Sequence, residues 1–364
     1  MQQSLLTEVT KKNLDAYVQE RVFTPMYWPK FFPLKTTLAL SYETLIGSKG
    51  APVAADVIAY DASAPEKTRK AIKKLTGDIP KLAMKKKMSE KDLIDYWTFK
   101  NLSGGNAQLN AILDLVYGDI DACVEGVNAR MEWLALKAIS QTYIALSKTT
   151  NGGGIVTLNN IDYGMPAANK NHASVVWNAT VTTTKPITDL RTAKAEARLQ
   201  GVKFKYALMD DTDWGYFQAS TETQNFVRPY TFNGTTRVND VPDIDTVNRA
   251  LKANDLPTII IIDQSITTEA EGTHTQTTAN PWVTGHVALI PDLALGNMLA
   301  GPIMEELSPP KHVTQTKVGP VLISKFSDVD PVAEYTKGEA SAFPSWPEVD
   351  RCWNLYTLSA STWA

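Results

Sequence analysis

Aspartates make the most chemically suggestive cluster in the sequence. Asp210, Asp211 and Asp213 follow a strand-like apolar run, Phe204 to Met209, and Asp263 ends a second run that starts at Thr258. Carboxylates gathered at the ends of neighbouring strands can hold a divalent cation for phosphoryl transfer. The same residues also suit a simpler task, because an Asp ahead of a helix accepts its unpaired N–H groups. Capping of a helix that carries Trp214 is the stronger reading of Asp210 or Asp211. His172, His274, His286 and His312 show no H-E-x-x-H or paired-ligand spacing, so each is expected in a loop or strand without a metal. No G-x-S-x-G elbow is present, and the glycines at 104–105 and 152–154 fit neither G-x-G-x-x-G nor the Walker lysine pattern. Cys123 and Cys352 stand far apart in no C-x-x-C pair, which argues against a disulfide scaffold or zinc site and predicts two buried thiols. The residues therefore predict no catalytic residue, no cofactor-binding residue and no metal ligand, which disfavours an enzyme.

Charge and aromatic content point instead to contacts. From Glu66 to Lys91 ten Lys or Arg face three acidic residues, whereas from Phe326 to Ala364 six acidic residues face Lys337 and Arg351. Opposite local charges of this kind can steer one subunit onto another. Few aromatics interleave the lysines, and the chain has a formal net charge of -3, so a role dominated by nucleic-acid binding is disfavoured. Near the N-terminus two prolines break Phe23-Thr24-Pro25-Met26-Tyr27-Trp28-Pro29 into an extended arm whose rings need another surface, on the same subunit or a neighbour. The inter-subunit contact candidates are Tyr27, Trp28, Phe31, Lys67, Lys70, Lys73 and Lys74.

The elements that would position these residues follow from periodicity. With 364 residues and 43% apolar content, the chain can build one large core or two smaller ones. Met1 to Asn13 has no apolar run of signal-peptide length, and Ile259 to Ile262 is far too short to span a bilayer. Short β-like pieces at Leu38–Leu45, Val53–Tyr60 and Ile79–Met84 predict a long hairpin-like excursion. Ser89 with Asp92 opens a helix over 89–100 with Leu93, Ile94 and Trp97 on one side. The longest pattern, Asp119 to Ser147, places Ile120, Val124, Val127, Met131, Leu134 and Ala138 on one stripe and predicts a helix about 40 Å long. Strands are expected at Ile155–Tyr163 and Ala173–Thr183. Helices at Thr188–Gln200, Asp211–Ala219 and Asp243–Ala253 then alternate with strands at Phe204–Met209 and Thr258–Asp263, which predicts an α/β lobe. After Gly301-Pro302, Val313–Val318 and Val321–Phe326 return to strand.

An arm, a basic extended loop, a long helix, β pieces, an α/β lobe and a return to strands come in an order that resembles the Hong Kong 97 fold of tailed-phage capsids. Within that fold the chain is similar to the lambda-like major capsid proteins, the phage major capsid protein E family. Pro80-Lys81-Leu82-Ala83-Met84 resembles the family's descending loop strand. Glu125 to Lys148 and the strand ending Ile161-Asp162-Tyr163-Gly164 resemble its spine helix and following turn. Thr188-Asp189-Leu190 to Met209-Asp210, with Trp214 and Phe217, resembles the axial-domain helix and strand, and Leu295-Gly296-Asn297 a late axial loop.

The resemblance implies an α+β Hong Kong 97-type fold with an N-arm at 1–35, an E-loop at 38–90, a discontinuous peripheral domain at 91–184 and 311–364, and an axial domain at 185–310. It implies a structural subunit of an icosahedral phage head that self-assembles into hexamers and pentamers around packaged double-stranded DNA. It further implies residence in the virion after synthesis in the bacterial host cytoplasm. The implied partners are copies of itself, a separate scaffolding protein and a portal, with a decoration protein as a further candidate. DNA would be contacted non-specifically, and no membrane is involved. Two other classes stay open on the residues alone: an α/β enzyme, and a monomeric decoration or tail binding module.

Overall fold

The computed structural model describes residues 4–6, 10–47, 72–101, 106–146, 151, 160–230, 241–270 and 273–359. It divides into two compact units, each assembled from separated stretches. One comprises Met1–Tyr42, Gly77–Leu134 and Asn297–Ser345, the other Glu43–Thr76, Ala135–Gly296 and Trp346–Ala364.

The described strands of the first unit form a six-stranded sheet around Val332–Ser345, which pairs antiparallel with Val321–Val329, Lys81–Met88 and Asn297–Ala300. Leu34–Thr36 adds a parallel edge on Asn297–Ala300, and Thr314–Val318 closes the other side. The central strand passes so close to the long helix that a Cβ on Gly338 would sit 2.8 Å from the Cys123 carbonyl oxygen, which is why glycine stands there. Glu90–Asn101 begins with the expected reciprocal cap: the Ser89 N–H donates to Asp92 Oδ2 at 3.0 Å while the Asp92 N–H reaches Ser89 Oγ. Its buried face differs from the expected one. Leu93 and Tyr96 point inward, whereas Ile94 and Trp97 are exposed.

The long helix runs over Asn106–Gln141, starting earlier and ending sooner than the expected Asp119–Ser147, and spans about 54 Å. Every residue of the predicted stripe is buried. The helix stops where Thr142 turns into the left-handed region at φ 58° and Tyr143–Ala145 pairs with Asn160–Asp162. The division between the units falls inside this helix, after Leu134.

The second unit has a five-stranded sheet in the order Lys170–His172, Trp353–Tyr356, His286–Ile290, Tyr206–Met209, Thr258–Ile261. The last two strands are parallel, so the helices between them form a crossover, as the alternating pattern predicted. Pro186–Leu199, Asp211–Ala219, Thr221–Val227 and Ile244–Ala253 supply apolar faces to a core centred on Leu190, Met209, Phe217, Val247, Leu289 and Trp353. Ala173–Thr183 is a series of turns rather than a strand. Its backbone closes local bonds from Ala179 to Val176 and from Thr183 to Thr180, and the Trp177 indole is buried on Asp189. Val53–Tyr60 and most of Ile155–Tyr163 lie outside the described residues. A boundary between the units falls after Ser345, and Trp353–Tyr356 lies in the second unit's sheet. No helix of the described residues is long and apolar enough to cross a membrane.

Candidate functional site

The N-terminal segment is held to one face of the long helix by carboxylates. Thr10 caps Lys11–Glu20, whose Leu14 and Val18 are buried one turn apart. The Tyr17 hydroxyl donates to Asp121 Oδ2 at 2.8 Å, and Arg21 Nε reaches the same oxygen at 2.8 Å. Thr24 Oγ1 donates to Glu125 at 3.0 Å. Glu132 then accepts the backbone N–H groups of Tyr27 and Trp28, at 2.9 and 2.6 Å. Asp121, Glu125 and Glu132 are four and seven residues apart, a spacing that stacks them along one helix face. Burial pushes the Glu132 carboxyl above its ordinary range, while the two backbone donors hold it down. Burial, followed by the bond to Asp121, pushes the Tyr17 phenol up to about 12.

Of the three aromatic candidates of the arm, Trp28 and Phe31 are buried within their own chain and Tyr27 is half-exposed. Two backbone bonds to Glu132 fix the turn Trp28–Phe31 and direct its rings inward. Glu132 was not among the sequence candidates, although a lone carboxylate inside Met131-Glu132-Trp133-Leu134 was a visible signal.

The basic tract meets part of the acidic C-terminal stretch inside the subunit. Antiparallel register sets Ala83 opposite Glu339 and Lys81 opposite Ser341, and Lys81 Nζ pairs with Glu339 at 2.7 Å. Lys337 bridges Glu339, at 2.7 Å, and Glu305. Lys85 Nζ lies 4.3 Å from the Tyr335 ring centre. Glu334 accepts the Leu5 N–H at 3.0 Å and stands 4.0 Å from the buried Lys325 Nζ. Glu334 and Glu339 are therefore spent at home. Of the lysine candidates, Lys74 pairs with Glu43 at 2.7 Å, both side chains more than half exposed. Lys67 and Lys70, and the side chain of Lys73, lie outside the described residues.

The aspartate cluster is a structural hub. Asp210 caps Asp211–Ala219 by accepting the Asp213 N–H at 2.9 Å, and its other oxygen accepts the Thr284 hydroxyl at 2.5 Å. Asp213, fully buried, accepts the Thr357 hydroxyl at 2.6 Å and the Gly285 N–H at 2.8 Å. Gly285, at φ +89°, has the backbone freedom to aim that N–H. Burial, opposed by the Thr357 bond and reinforced by Asp210, pushes the Asp213 carboxyl up to about 7. All four oxygens thus hold pieces of backbone and loop together, while Asp211 and Asp263 point to solvent. His286 stacks on Tyr356 at 4.8 Å, and burial lowers its pKa to about 4. Cys123 and Cys352 are buried and unpaired. Among the described residues no three His, Cys, Asp or Glu side chains are grouped to hold a metal ion.

The fold has parallels among solved structures. A protein described as the capsid protein of a prophage in Escherichia coli CFT073 shares 15% identity, with 96% of this chain and 99% of that one covered at a TM-score of 0.57. A phage-related protein from Bordetella bronchiseptica RB50 shares 12% identity, with 97% and 99% covered at a TM-score of 0.52. At these identities the likeness concerns the fold alone. No curated protein matches the sequence. The family model for phage major capsid protein E matches residues 10–355, nearly the whole length. The chain belongs to the phage major capsid protein E family.

Proposed function

We propose that this head protein is the main shell-forming subunit of a tailed phage, built on the Hong Kong 97 plan and working by self-association without an enzymatic step. The observation that carries the reading is the family match along residues 10–355, which takes in both units rather than a module of either. In this reading residues 91–184 and 311–364 form the peripheral domain and residues 185–310 the axial domain. Residues 1–35 form the N-arm, and the basic ribbon within 38–90 is the E-loop. Copies join as hexamers and pentamers into an icosahedral shell around double-stranded DNA, contacted without sequence preference. The shell is built in the host cytoplasm with a separate scaffolding protein and a portal, and it accepts a decoration protein.

Negative-stain microscopy of the purified chain, alone and with the phage's remaining head proteins, tests this directly. Rings or closed particles are expected. A chain that stays monomeric in every mixture overturns the reading. The ribbon's part is tested by changing Lys67, Lys70, Lys73 and Lys74 together to Glu. Low-salt particle yield should collapse with circular dichroism unchanged, and 1 M salt should restore part of it as the screening length falls from about 10 Å to about 3 Å.

A further inference from the structure

Two exposed features of the chain complement one another. The first is the short helix Met304–Leu307, whose Met304 and Leu307 side chains are 70% and 68% exposed. Three residues apart, they stand side by side on one face. The polar side of this turn is tied to its own sheet: Glu306 to Lys317 at 2.6 Å, and Glu305 to Lys337 and to Ser324 Oγ, the last at 3.0 Å. Anchored this way, the turn holds its two apolar side chains toward solvent on an acidic base.

The second feature is an open groove of about 880 Å³ along Pro186–Leu199. Ala195, Leu199 and Leu256 supply its apolar surface, and Arg191, Lys194 and Arg198 outnumber Glu196, itself held by the Asn171 amide, on its charged rim. Leu199, at the end of the helix, is 86% exposed. Asp255 already engages Lys194 and Lys203, at 2.9 and 2.7 Å, and Arg191 lies over the Phe226 ring, which leaves Arg198 as the rim cation best free to meet an incoming carboxylate.

Resting on the reading that copies of this chain assemble, we propose that the Met304–Leu307 turn of one copy seats its two apolar side chains in the Pro186–Leu199 groove of a second copy. Apolar meets apolar, and Glu306, whose Oε1 keeps Lys317, turns its other carboxylate oxygen to the Arg198 side of the rim. Burial of exposed Leu and Met surface drives the contact, while charge selects its orientation. Turn and groove are different surfaces, so the contact is heterologous: each copy gives one and receives one, and repetition can close a ring.

Disulfide trapping tests the pairing, and the buried native thiols give it a low background. Leu199→Cys and Leu307→Cys are made in separate chains, mixed, assembled, mildly oxidised and run on a non-reducing gel. Both positions are exposed, so folding should be unaffected; Ala195→Cys with Met304→Cys provides a second pair. The expected result is a covalent dimer in the mixture and none from either variant alone, with a ladder of larger oligomers when both substitutions share one chain. Particles that form without mixed dimers from either pair overturn the contact and leave the shell reading standing. Dimers from Leu199→Cys alone overturn it too, since they require groove to meet groove. If the unsubstituted chain forms no particles, it is the shell reading that fails.

Discussion

Glu339 in the sheet of the first unit and Asp213 in the second are both buried carboxylates, yet their surroundings treat them in opposite ways. Burial disfavours the charge of Glu339, but hydrogen bonds from Lys337 and Lys81 overcome it and hold the group below its ordinary range. Asp213 has neighbours that donate hydrogen bonds without carrying charge, the Thr357 hydroxyl and the Gly285 N–H, and Asp210 adds a like charge. Its pKa accordingly rises to about 7. Asp189 follows Asp213: it accepts the Ser174 N–H and the Trp177 indole N–H and is raised by burial. Two ammonium groups at hydrogen-bond distance thus hold Glu339 as an anion, whereas Glu334, whose Lys325 partner stands 4.0 Å away, is raised by burial as Asp213 is.

The largest effect should come from removing the acid of a buried pair. Glu334 and Lys325 are almost wholly inaccessible, and apart from Glu334 the Lys325 ammonium donates to Thr336 Oγ1 at 3.0 Å. Glu334→Ala strands that ammonium and frees the Leu5 N–H. The expected loss is about 3–5 kcal/mol in urea unfolding of the unassembled subunit, with much of it recovered when Lys325→Met is added. A loss below about 1 kcal/mol would show that the site admits water and that burial is not what distinguishes these acids.

Asp213→Ala comes next. It leaves the Gly285 N–H and the Thr357 hydroxyl without their acceptor, at a cost of about 2–4 kcal/mol for two buried donors. Asp213→Asn keeps the shape and one acceptor oxygen and should cost much less. It also isolates the titration. A carboxyl raised from 3.8 to about 7 contributes stability that is complete below the unfolded value and is lost as pH rises through 7. The Asn variant should therefore gain on the natural protein between pH 5 and pH 8, by at most about 1.4 kcal/mol per pH unit. Glu339, lowered in the fold, has the reverse sign: its contribution holds above the ordinary glutamate range and is lost as pH falls through the folded value. Thermal melts should therefore show the Asp213→Asn difference changing between pH 5 and pH 8 while the Glu339→Gln difference stays flat there and changes only below the ordinary glutamate value of 4.5. Parallel curves would mean the two acids share one environment after all.

Much of this arrangement was readable from sequence where local rules dominate. The stripe from Ile120 to Ala138 named the buried face of the long helix, and Ser89 with Asp92 marked a true helix start. Asp210 or Asp211 was read as a cap, and Asp210 is the one. What stayed hidden depends on pairing across hundreds of residues. Nothing near Glu132 announces that its oxygens will take the N–H groups of Tyr27 and Trp28, and that contact is what buries Trp28 and Phe31 at home. The match of Lys81 to Glu339 required the register of two strands about 250 residues apart, which composition reported only as opposite regional charge. Ile94 and Trp97 misled because a helical stripe states which residues share a face and not which of two adjacent faces turns inward.

The smallest effect belongs to a third kind of carboxylate, exposed where the strands Ser41–Gly47 and Ile72–Asp78 pair as a two-stranded ribbon. Glu43 meets Lys74 at 2.7 Å, closer than Glu334 approaches Lys325, but both side chains are more than half in water. Water screens such a pair and two long side chains lose rotamer freedom to make it, so it contributes about 0–1 kcal/mol. Lys74→Glu should therefore shift urea unfolding of the unassembled subunit by less than about 1 kcal/mol, and even that difference should vanish in 1 M salt. The comparison with Glu334→Ala is the informative one, because distance alone would rank the two pairs the other way. If Lys74→Glu proves as costly as Glu334→Ala, proximity and not desolvation governs these acids. If it is nearly silent in the subunit while the fourfold lysine variant still blocks assembly, the ribbon's charges act between copies and contribute little within one.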